Sequence, residues 1–269
     1  MKTFKLIGLN VVSILMCANF ASCSKDDEPK KNDSGVVSNE KKVVEITDYY
    51  VTRWGEQSHT IKFVYDEQKR LIKAKNSSDN YTEYYIWKEN LIENYYGEDD
   101  NDPWCYGLNK GLVSETYSLN RYNIKDIEDA HKYNSSKQMI SWTYPIDKEI
   151  ELVWEKGNLK TIIKAFGDTV EFYYSDKTCK GYFPLMHQAL EYTIHSGLDY
   201  FWYELYYAHP ELVGLRTKQL PDKVVEKYSS GNTQDIIDIQ YTFTDDGYIK
   251  TCTMTDSDNF TIKYYFKWQ

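Results

Sequence analysis

The chain has 269 residues and a formal net charge of −9 at pH 7, and this acidity excludes nucleic-acid binding through the phosphate backbone. Its 13 glycines and 6 prolines are too few for a disordered or low-complexity chain, while 26 tyrosines, 10 phenylalanines and 7 tryptophans favour β-strands. Five cysteines without a Cys-x-x-Cys spacing exclude a disulfide-held scaffold, and at most one disulfide can form among Cys105, Cys179 and Cys252.

Residues 1–22 have the layout of a bacterial lipoprotein signal peptide. Two lysines in the first five residues precede a mostly apolar run over residues 6–16, which is too short to cross a bilayer stably. The small pair Ala21-Ser22 stands directly before Cys23, and in lipoproteins such a cysteine is acylated and becomes the first mature residue. The sequence therefore predicts Cys23 as the lipidation site.

Residues 23–42 are predicted to be a flexible acidic tether, because charged and polar residues occur there without an apolar period. The tether begins with a charged run that resembles the export signal of Bacteroidetes lipoproteins, which sends them to the outer face of the outer membrane. This run consists of Lys25, Asp26, Asp27 and Glu28. We therefore expect a lipid-anchored outer-membrane protein exposed at the cell surface, with the periplasmic face as the alternative.

The remainder, residues 43–269, is predicted to be a single mainly β domain. Apolar and aromatic runs alternate with short polar turns, which is typical of antiparallel hairpins. The predicted turns lie at residues 66–69, 88–90, 156–158, 167–168, 230–232, 245–247 and 256–259. We therefore expect residues 43–175 and 222–268 to form one antiparallel meander, of roughly ten to thirteen strands, as a curved sheet or partly open barrel.

Two stretches interrupt this rhythm. Residues 97–112 are rich in acidic and turn-forming residues and are predicted to be a loop. Residues 184–208 are predicted to be a helical insertion, with Pro184 in its first turn and apolar side chains at helical spacing. The insertion is expected to cap the apolar face of the sheet through Met186, Leu190, Ile194, Phe201 and Leu205.

Three segments in the last third of the chain carry a recognisable pattern. VGLRTKQLPDKVVEKY, IQYTFTDDGYIKTCTM and TIKYYFKW contain a Gly-Leu pair before Leu-Pro, an Asp-Asp-Gly-Tyr turn and a final aromatic strand. They are similar to a family of Bacteroidetes outer-membrane lipoproteins of unknown function that is described as having a porin-like fold. The resemblance implies a curved antiparallel sheet rather than a pore, and it brings no catalytic residues.

One set of side chains has a spacing suited to metal binding. His187, Glu191 and His195 fall at i, i+4 and i+8 of the predicted helix, which places two imidazoles and a carboxylate on one face. The alternative is the solvated stripe of an amphipathic helix. Because no hydrolytic motif accompanies these residues, we expect no metal or other cofactor.

A second candidate site is a modification site. The tripeptide Asp-Thr-Val at residues 168–170 resembles the short acceptor motif for O-glycosylation in Bacteroidetes. Thr169 would be the residue that carries the glycan.

No motif for a serine hydrolase, a zinc protease or a phosphate-binding loop occurs, so the chain is predicted to be non-catalytic. We expect a surface or outer-membrane lipoprotein with a ligand-binding or envelope role. One alternative is a glycan-binding lipoprotein that assists polysaccharide capture through exposed tyrosines, and another is a carrier of a small apolar ligand in a half-barrel. Tyrosines that only pair across strands would stabilise the sheet without binding anything. The oligomeric state is left open.

Overall fold

The computed structural model describes residues 40–77, 82–97, 101–119, 124–144, 148–164, 166–191 and 204–269. The described residues form seventeen strands: β1 Val43–Thr52, β2 Gly55–Gln57, β3 Thr60–Tyr65, β4 Leu71–Asn76, β5 Thr82–Lys88, β6 Leu91–Tyr96, β7 Trp104–Asn109, β8 Leu112–Leu119, β9 Lys125–Tyr133, β10 Met139–Tyr144, β11 Lys148–Glu155, β12 Asn158–Ile163, β13 Thr169–Tyr174, β14 Pro221–Lys227, β15 Thr233–Phe243, β16 Ile249–Thr255 and β17 Thr261–Trp268. Between β13 and β14 the described residues include the helices α1 Gln188–Glu191 and α2 Glu204–Ala208 and a 3₁₀ turn at Pro210–Val213.

Sixteen of these strands close into an antiparallel barrel. Each strand from β3 to β16 pairs with the next one in the chain, and β1 pairs with both β3 and β17. At this seam Ile46 lies opposite Ile61 on one side and Phe266 on the other. The short β2 forms a hairpin with the end of β1. The prediction of a mainly β antiparallel meander is confirmed, and the sheet closes fully instead of staying partly open.

The seven predicted turns all join consecutive strands of the wall. Asp66 shows why they form where they do, because its Oδ1 atom accepts backbone hydrogen bonds from Gln68 and Arg70, each at 2.9 Å. Asp256 holds the last turn in the same way. An aspartate that accepts hydrogen bonds from the backbone of its own turn stabilises that turn without distant contacts. Such turns can therefore be predicted from the sequence.

The stretch at residues 97–112 contains strand β7, so its prediction as a loop was wrong. Cys105 and Tyr106 in this strand are fully buried. The strand is only six residues long and lies between an Asp-Pro pair and an Asn-Lys-Gly turn. Because of these flanking turn-forming residues, the sequence of the strand resembles a loop. With β7 to β10 included, the wall has more strands than the expected ten to thirteen.

The inward face of the wall is mainly apolar and the outward face is mainly polar. In β17, Ile262, Tyr264 and Phe266 are at most 5 % exposed, whereas Tyr265 is 42 % exposed. Successive side chains of a strand point to opposite faces, and the interior positions of a barrel therefore alternate with exterior ones. The closed wall thus gathers its apolar side chains into one core.

The insertion between β13 and β14 packs inside the barrel, not on an open sheet face as expected. Met186, Leu190 and Leu205 are no more than 1 % exposed. His209, directly after α2, accepts a hydrogen bond at Nε2 from the backbone N–H of Leu71 in β4, at 3.2 Å. A sheet that closes on itself leaves no free apolar face, while a sixteen-stranded barrel has a wide lumen. The described part of the insertion therefore occupies this lumen.

The described start of the insertion differs from the prediction, because Pro184 precedes α1 instead of standing in its first turn. α1 and α2 border residues 192–203, which lie outside the described residues. Ile194 and Phe201 lie outside the described residues. None of the helices in the described part of the chain has the length and apolarity needed to cross a membrane.

A ring of aromatic side chains fastens one end of the barrel. Each member lies near the end of an odd-numbered strand and donates a hydrogen bond, at 2.5 to 2.8 Å, to a backbone carbonyl near the start of the preceding wall strand. The pairs are Tyr65 to Val43, Trp87 to Leu71, Tyr133 to Val113, Trp154 to Met139, Tyr174 to Leu159, Tyr241 to Pro221 and Trp268 to Ile249. We call this the latched end. The insertion enters the barrel there, and β1 begins there.

Candidate functional site

The latched end contains an open cleft of about 840 Å³. Three separate parts of the chain line it: the β9–β10 turn at residues 136–138, the β11–β12 turn at residues 156–157, and the two ends of the insertion, within residues 179–183 and 211–220. These parts are distant in sequence. The cleft therefore forms because consecutive hairpins of the meander place their turns side by side and the insertion returns beside them.

The two hairpin turns that form one side of the cleft have a common backbone feature. Lys137 and Lys156 adopt left-handed conformations, with φ of 61° and 51°, which glycine or asparagine adopts more readily. In the first turn Asn134 Oδ1 accepts backbone hydrogen bonds from Ser136 and Gln138, each at 3.0 Å. Both turns thus place a lysine where a smaller residue is usual.

The returning segment of the insertion forms the other side. Asn158 Oδ1 accepts the backbone N–H groups of Lys218 and Gln219 at 3.0 and 2.9 Å, and Asn158 Nδ2 donates to Gln219 Oε1 at 2.6 Å. Gly214 has φ of 62°, and a Cβ atom there would lie 2.4 Å from the carbonyl oxygen of Lys137. Only glycine fits at this contact. The segment is therefore fixed to both hairpins.

The cleft carries an excess of positive charge in an otherwise acidic protein. Within the described part of the chain, Lys137 and Lys218 form no ion pair, and Lys156 has only Glu155, at 3.9 Å. All three lysines are exposed. Three cations from three parts of the chain thus share one cleft without close anionic partners.

The other charged residues of the cleft are compensated within the chain. Arg216 pairs with Glu40 at 2.5 Å. Burial raises the pKa of Glu211, but the hydrogen bond from His209 Nδ1 at 2.8 Å and the ion pair with Lys42 at 2.7 Å outweigh it and hold the pKa at about 2. Glu211 is therefore ionised and already paired, and it does not cancel the charge of the three lysines.

Cys179 also lines the cleft, and its surroundings make it unreactive. Burial raises the pKa of its thiol to about 11, against an opposing effect of Arg216. A thiol with this pKa stays protonated at neutral pH and is a poor nucleophile. Cys105, Cys179 and Cys252 are all free thiols in the structure.

Two solved structures resemble this barrel. A porin-like protein from Bacteroides uniformis matches it with a TM-score of 0.58 and 12 % sequence identity, over 84 % of this chain and 98 % of that one. A porin-like protein from Bacteroides vulgatus matches with a TM-score of 0.53 and 14 % identity, over the same shares of the two chains. The chain has the porin-like fold. No protein-family profile and no curated protein matches the sequence, and identities this low show the fold alone.

Of the three candidate metal residues in this porin-like barrel, the structure describes the surroundings of His187. His187 is 5 % exposed and its ring packs edge-on against Tyr207, with centroids 4.2 Å apart. Burial lowers its pKa to about 3, so the imidazole is neutral. Glu191 belongs to α1, and His195 lies outside the described residues. The described residues contain no group of three His, Cys, Asp or Glu side chains able to hold a metal ion.

The remaining predicted sites stay predictions. Cys23 and the export run, residues 25–28, lie outside the described residues. Thr169 is the first residue of β13 and is partly exposed, beside Asp168, which accepts the backbone N–H of Ser229 at 2.8 Å. A glycan on Thr169 would therefore emerge at the end of the barrel opposite the cleft.

Several outward tyrosines are covered by lysines of the same wall. The Nζ atoms of Lys73, Lys160 and Lys263 lie 5.1, 4.6 and 5.1 Å from the ring centroids of their tyrosine partners. These partners are Tyr84, Tyr173 and Tyr265. A cation over an exposed ring contributes about 0.5–1 kcal/mol, so these rings have a stabilising role without any ligand.

A carboxyl pair lies deep inside the barrel and was not recognised from the sequence. Glu83 of β5 and Glu204 of α2 are both fully buried, and Tyr85 donates a hydrogen bond to Glu83. Burial, reinforced by the charge of Glu204, raises the pKa of Glu83 well above its usual range. A raised pKa of this origin favours the neutral, protonated form of Glu83. The signal was the strand alternation, which places Glu83 on the same inward face as Tyr85 and Trp87.

Proposed function

We propose that the chain is a non-catalytic lipoprotein of the bacterial outer membrane that binds a ligand in the cleft of its latched end. The observation that carries this proposal is the cleft itself, which is open and has a volume of about 840 Å³. Ligand sites are concave and typically occupy several hundred Å³. Because the insertion fills the lumen, the end of the barrel is where a ligand of this size can be held.

The anchor is a lipid on Cys23, and residues 25–28 direct the protein to the cell surface. Lys62, Lys132 and Lys267 are exposed on the outward face of the barrel. These charges support attachment through a lipid rather than insertion of the barrel wall into the bilayer. Charged side chains on a lipid-facing wall cost about 2–4 kcal/mol each at the centre of the bilayer. Two or more acyl chains hold a protein to a membrane firmly without an inserted segment.

The chemistry of the cleft supports binding over catalysis. Its thiol, Cys179, is protonated at neutral pH, and its carboxylate, Glu211, is held ionised with a pKa of about 2. A general base needs a pKa near the working pH. Neither group is therefore suited to activate a nucleophile.

Of the two ligand classes considered, the glycan is favoured. An apolar carrier needs an enclosed apolar cavity, and here Leu190, Leu205 and Tyr206 of the insertion occupy the lumen. The cleft is instead open and presents polar side chains, among them Gln138, Thr217 and Gln219. A saccharide, whose hydroxyl groups need hydrogen-bond partners, suits this lining.

The anchor is tested by replacing Cys23 with alanine and following membrane fractionation. The parent should sediment with membranes and Cys23→Ala should be released. A variant that stays as tightly bound as the parent contradicts the lipid anchor. The double change Asp26→Ala and Asp27→Ala should leave the protein membrane-bound but reduce its labelling on intact cells.

Ligand binding is tested with the mature chain carrying Cys23→Ala, on an array of neutral and charged oligosaccharides. Ser136→Trp places a large side chain in the cleft, and Ser135→Trp is the matched control in the same turn outside it. We expect Ser136→Trp alone to abolish binding. Binding that survives in Ser136→Trp would place the ligand elsewhere.

A further inference from the structure

We propose that the ligand of this cleft is an anionic oligosaccharide, whose carboxylate or sulfate groups are recognised by Lys137, Lys156 and Lys218. This inference rests on the binding function proposed for the cleft and names the chemistry of the ligand.

The charge distribution is the first argument. The whole chain has a net charge of −9, yet three exposed lysines meet at the cleft, and among the described residues only Lys156 has a carboxylate within 4 Å. Like charges that share a concave surface repel one another and raise the local concentration of counter-ions. An anion in the cleft relieves this repulsion.

The placement of Lys218 is the second argument. A Cβ atom at position 157 would lie 2.6 Å from Lys218 Cε and 2.7 Å from Lys218 Cδ. The lysine stem therefore crosses the turn directly over Gly157, in space that any other residue would occupy. Because Gly157 has no side chain, Lys218 can lie beside the turn that carries Lys156.

The size and lining of the cleft select among anions. A volume of about 840 Å³ is far more than one phosphate ion fills, and the three cations come from separate segments, which suits a ligand with several anionic groups. Tyr182 and Phe183 reach the cleft but are only 2 % and 4 % exposed, so they offer little apolar surface to an acyl chain. Neutral polar side chains such as Gln138 and Thr217 suit sugar hydroxyls.

The test measures binding of four probes to the mature chain carrying Cys23→Ala by calorimetry, in 20 mM and 300 mM NaCl. The probes are a galacturonate tetrasaccharide, a heparin-derived tetrasaccharide, neutral maltotetraose and inorganic phosphate. The test variant combines Lys137→Asn, Lys156→Asn and Lys218→Gln, since asparagine tolerates the left-handed conformation of both turns. The matched control is Lys110→Asn, whose lysine has φ of 52° in a turn outside the cleft.

We expect at least one acidic tetrasaccharide to bind more tightly than maltotetraose, and to weaken in high salt. Loss of an exposed ionic contact weakens binding about two- to fivefold, so the triple variant should lose about tenfold to a hundredfold. Lys110→Asn should stay within about twofold of the parent, and thermal melting of all variants should match.

Two results would overturn the inference while leaving the cleft a binding site: equal affinity for acidic and neutral tetrasaccharides, or binding of an acidic one that the triple variant retains. Binding of phosphate with no saccharide bound would also overturn it, by showing an ion site only. If no probe and no neutral or charged oligosaccharide binds, both the inference and the proposed function fail.

Discussion

Replacing Glu226 with glutamine should stabilise the barrel at pH 8 and leave its stability nearly unchanged at pH 4.5. Glu226 lies in β14 opposite Val170 and Asp235, and it is 2 % exposed. Its Oε1 atom has no hydrogen-bond partner among the described residues. Burial raises its pKa to about 7, with Lys164 opposing and Asp235 adding to the shift.

The expected magnitude follows from the two protonation states. The pKa rises from 4.5 in the unfolded chain to about 7 in the barrel, so the folded state binds more protons between these values. The contribution of Glu226 to the stability of the folded state is therefore complete below pH 4.5 and is lost as the pH rises through 7. A difference of about 2.5 units corresponds to about 3 kcal/mol. Glutamine has the same shape and cannot ionise, so Glu226→Gln avoids this loss.

The assay is urea unfolding of the parent and of Glu226→Gln at pH 4.5, 6 and 8. The variant should gain about 3 kcal/mol over the parent at pH 8 and differ by less than about 0.5 kcal/mol at pH 4.5. All other titrating groups are common to both proteins and cancel in the difference. Glu67→Gln, on an exposed turn, is the control for replacing a glutamate by glutamine at the protein surface. Equal differences at pH 4.5 and 8 would refute the reasoning.

Three further outcomes are expected. Leu190→Asp buries an unpaired charge inside the barrel and should lower the free energy of unfolding, measured by urea titration, by several kcal/mol. Val64→Asp, on the outward face, should change it by less than about 1 kcal/mol. Equal effects of the two substitutions would contradict the packing of Leu190 inside the barrel. Tyr174→Phe removes the hydrogen bond to the Leu159 carbonyl and should cost about 1 kcal/mol, more than Tyr173→Phe next to it on the outward face. EDTA should leave the melting temperature unchanged, and a fall of many degrees would indicate a structural metal ion.

The parts of the fold that local chemistry determines could be predicted from the sequence. Asp66 and Asp256 bond the backbone of their own turns, so those turns could be located without knowing what surrounds them. The period-2 alternation of β17 likewise places Ile262, Tyr264 and Phe266 on one face whatever strands lie beside it. Closure of the barrel could not be predicted in this way. It depends on the pairing of β1 with β17, more than 200 residues away, and no local sequence pattern encodes that contact.

The candidate site could not be predicted because its members are distant in sequence. Lys137, Lys156 and Lys218 meet only when the two hairpins pair side by side and the insertion folds back over them. One local signal was present, since Lys-Gly at residues 156–157 places a lysine where a turn favours a left-handed residue. That signal marks the turn, and only the structure shows that it faces a cleft.

The aromatic excess of the sequence and the cleft have a common structural basis. Loops are the mobile part of most proteins, and a binding site on loops is accurate only if rigid elements hold it. Tyr133 directly precedes the turn that carries Lys137, and Trp154 stands two residues before Lys156. Each donates a hydrogen bond to the preceding wall strand, at 2.5 and 2.6 Å, worth about 1 kcal/mol. The aromatic residues before these turns therefore fix the strand ends from which the cleft lysines project.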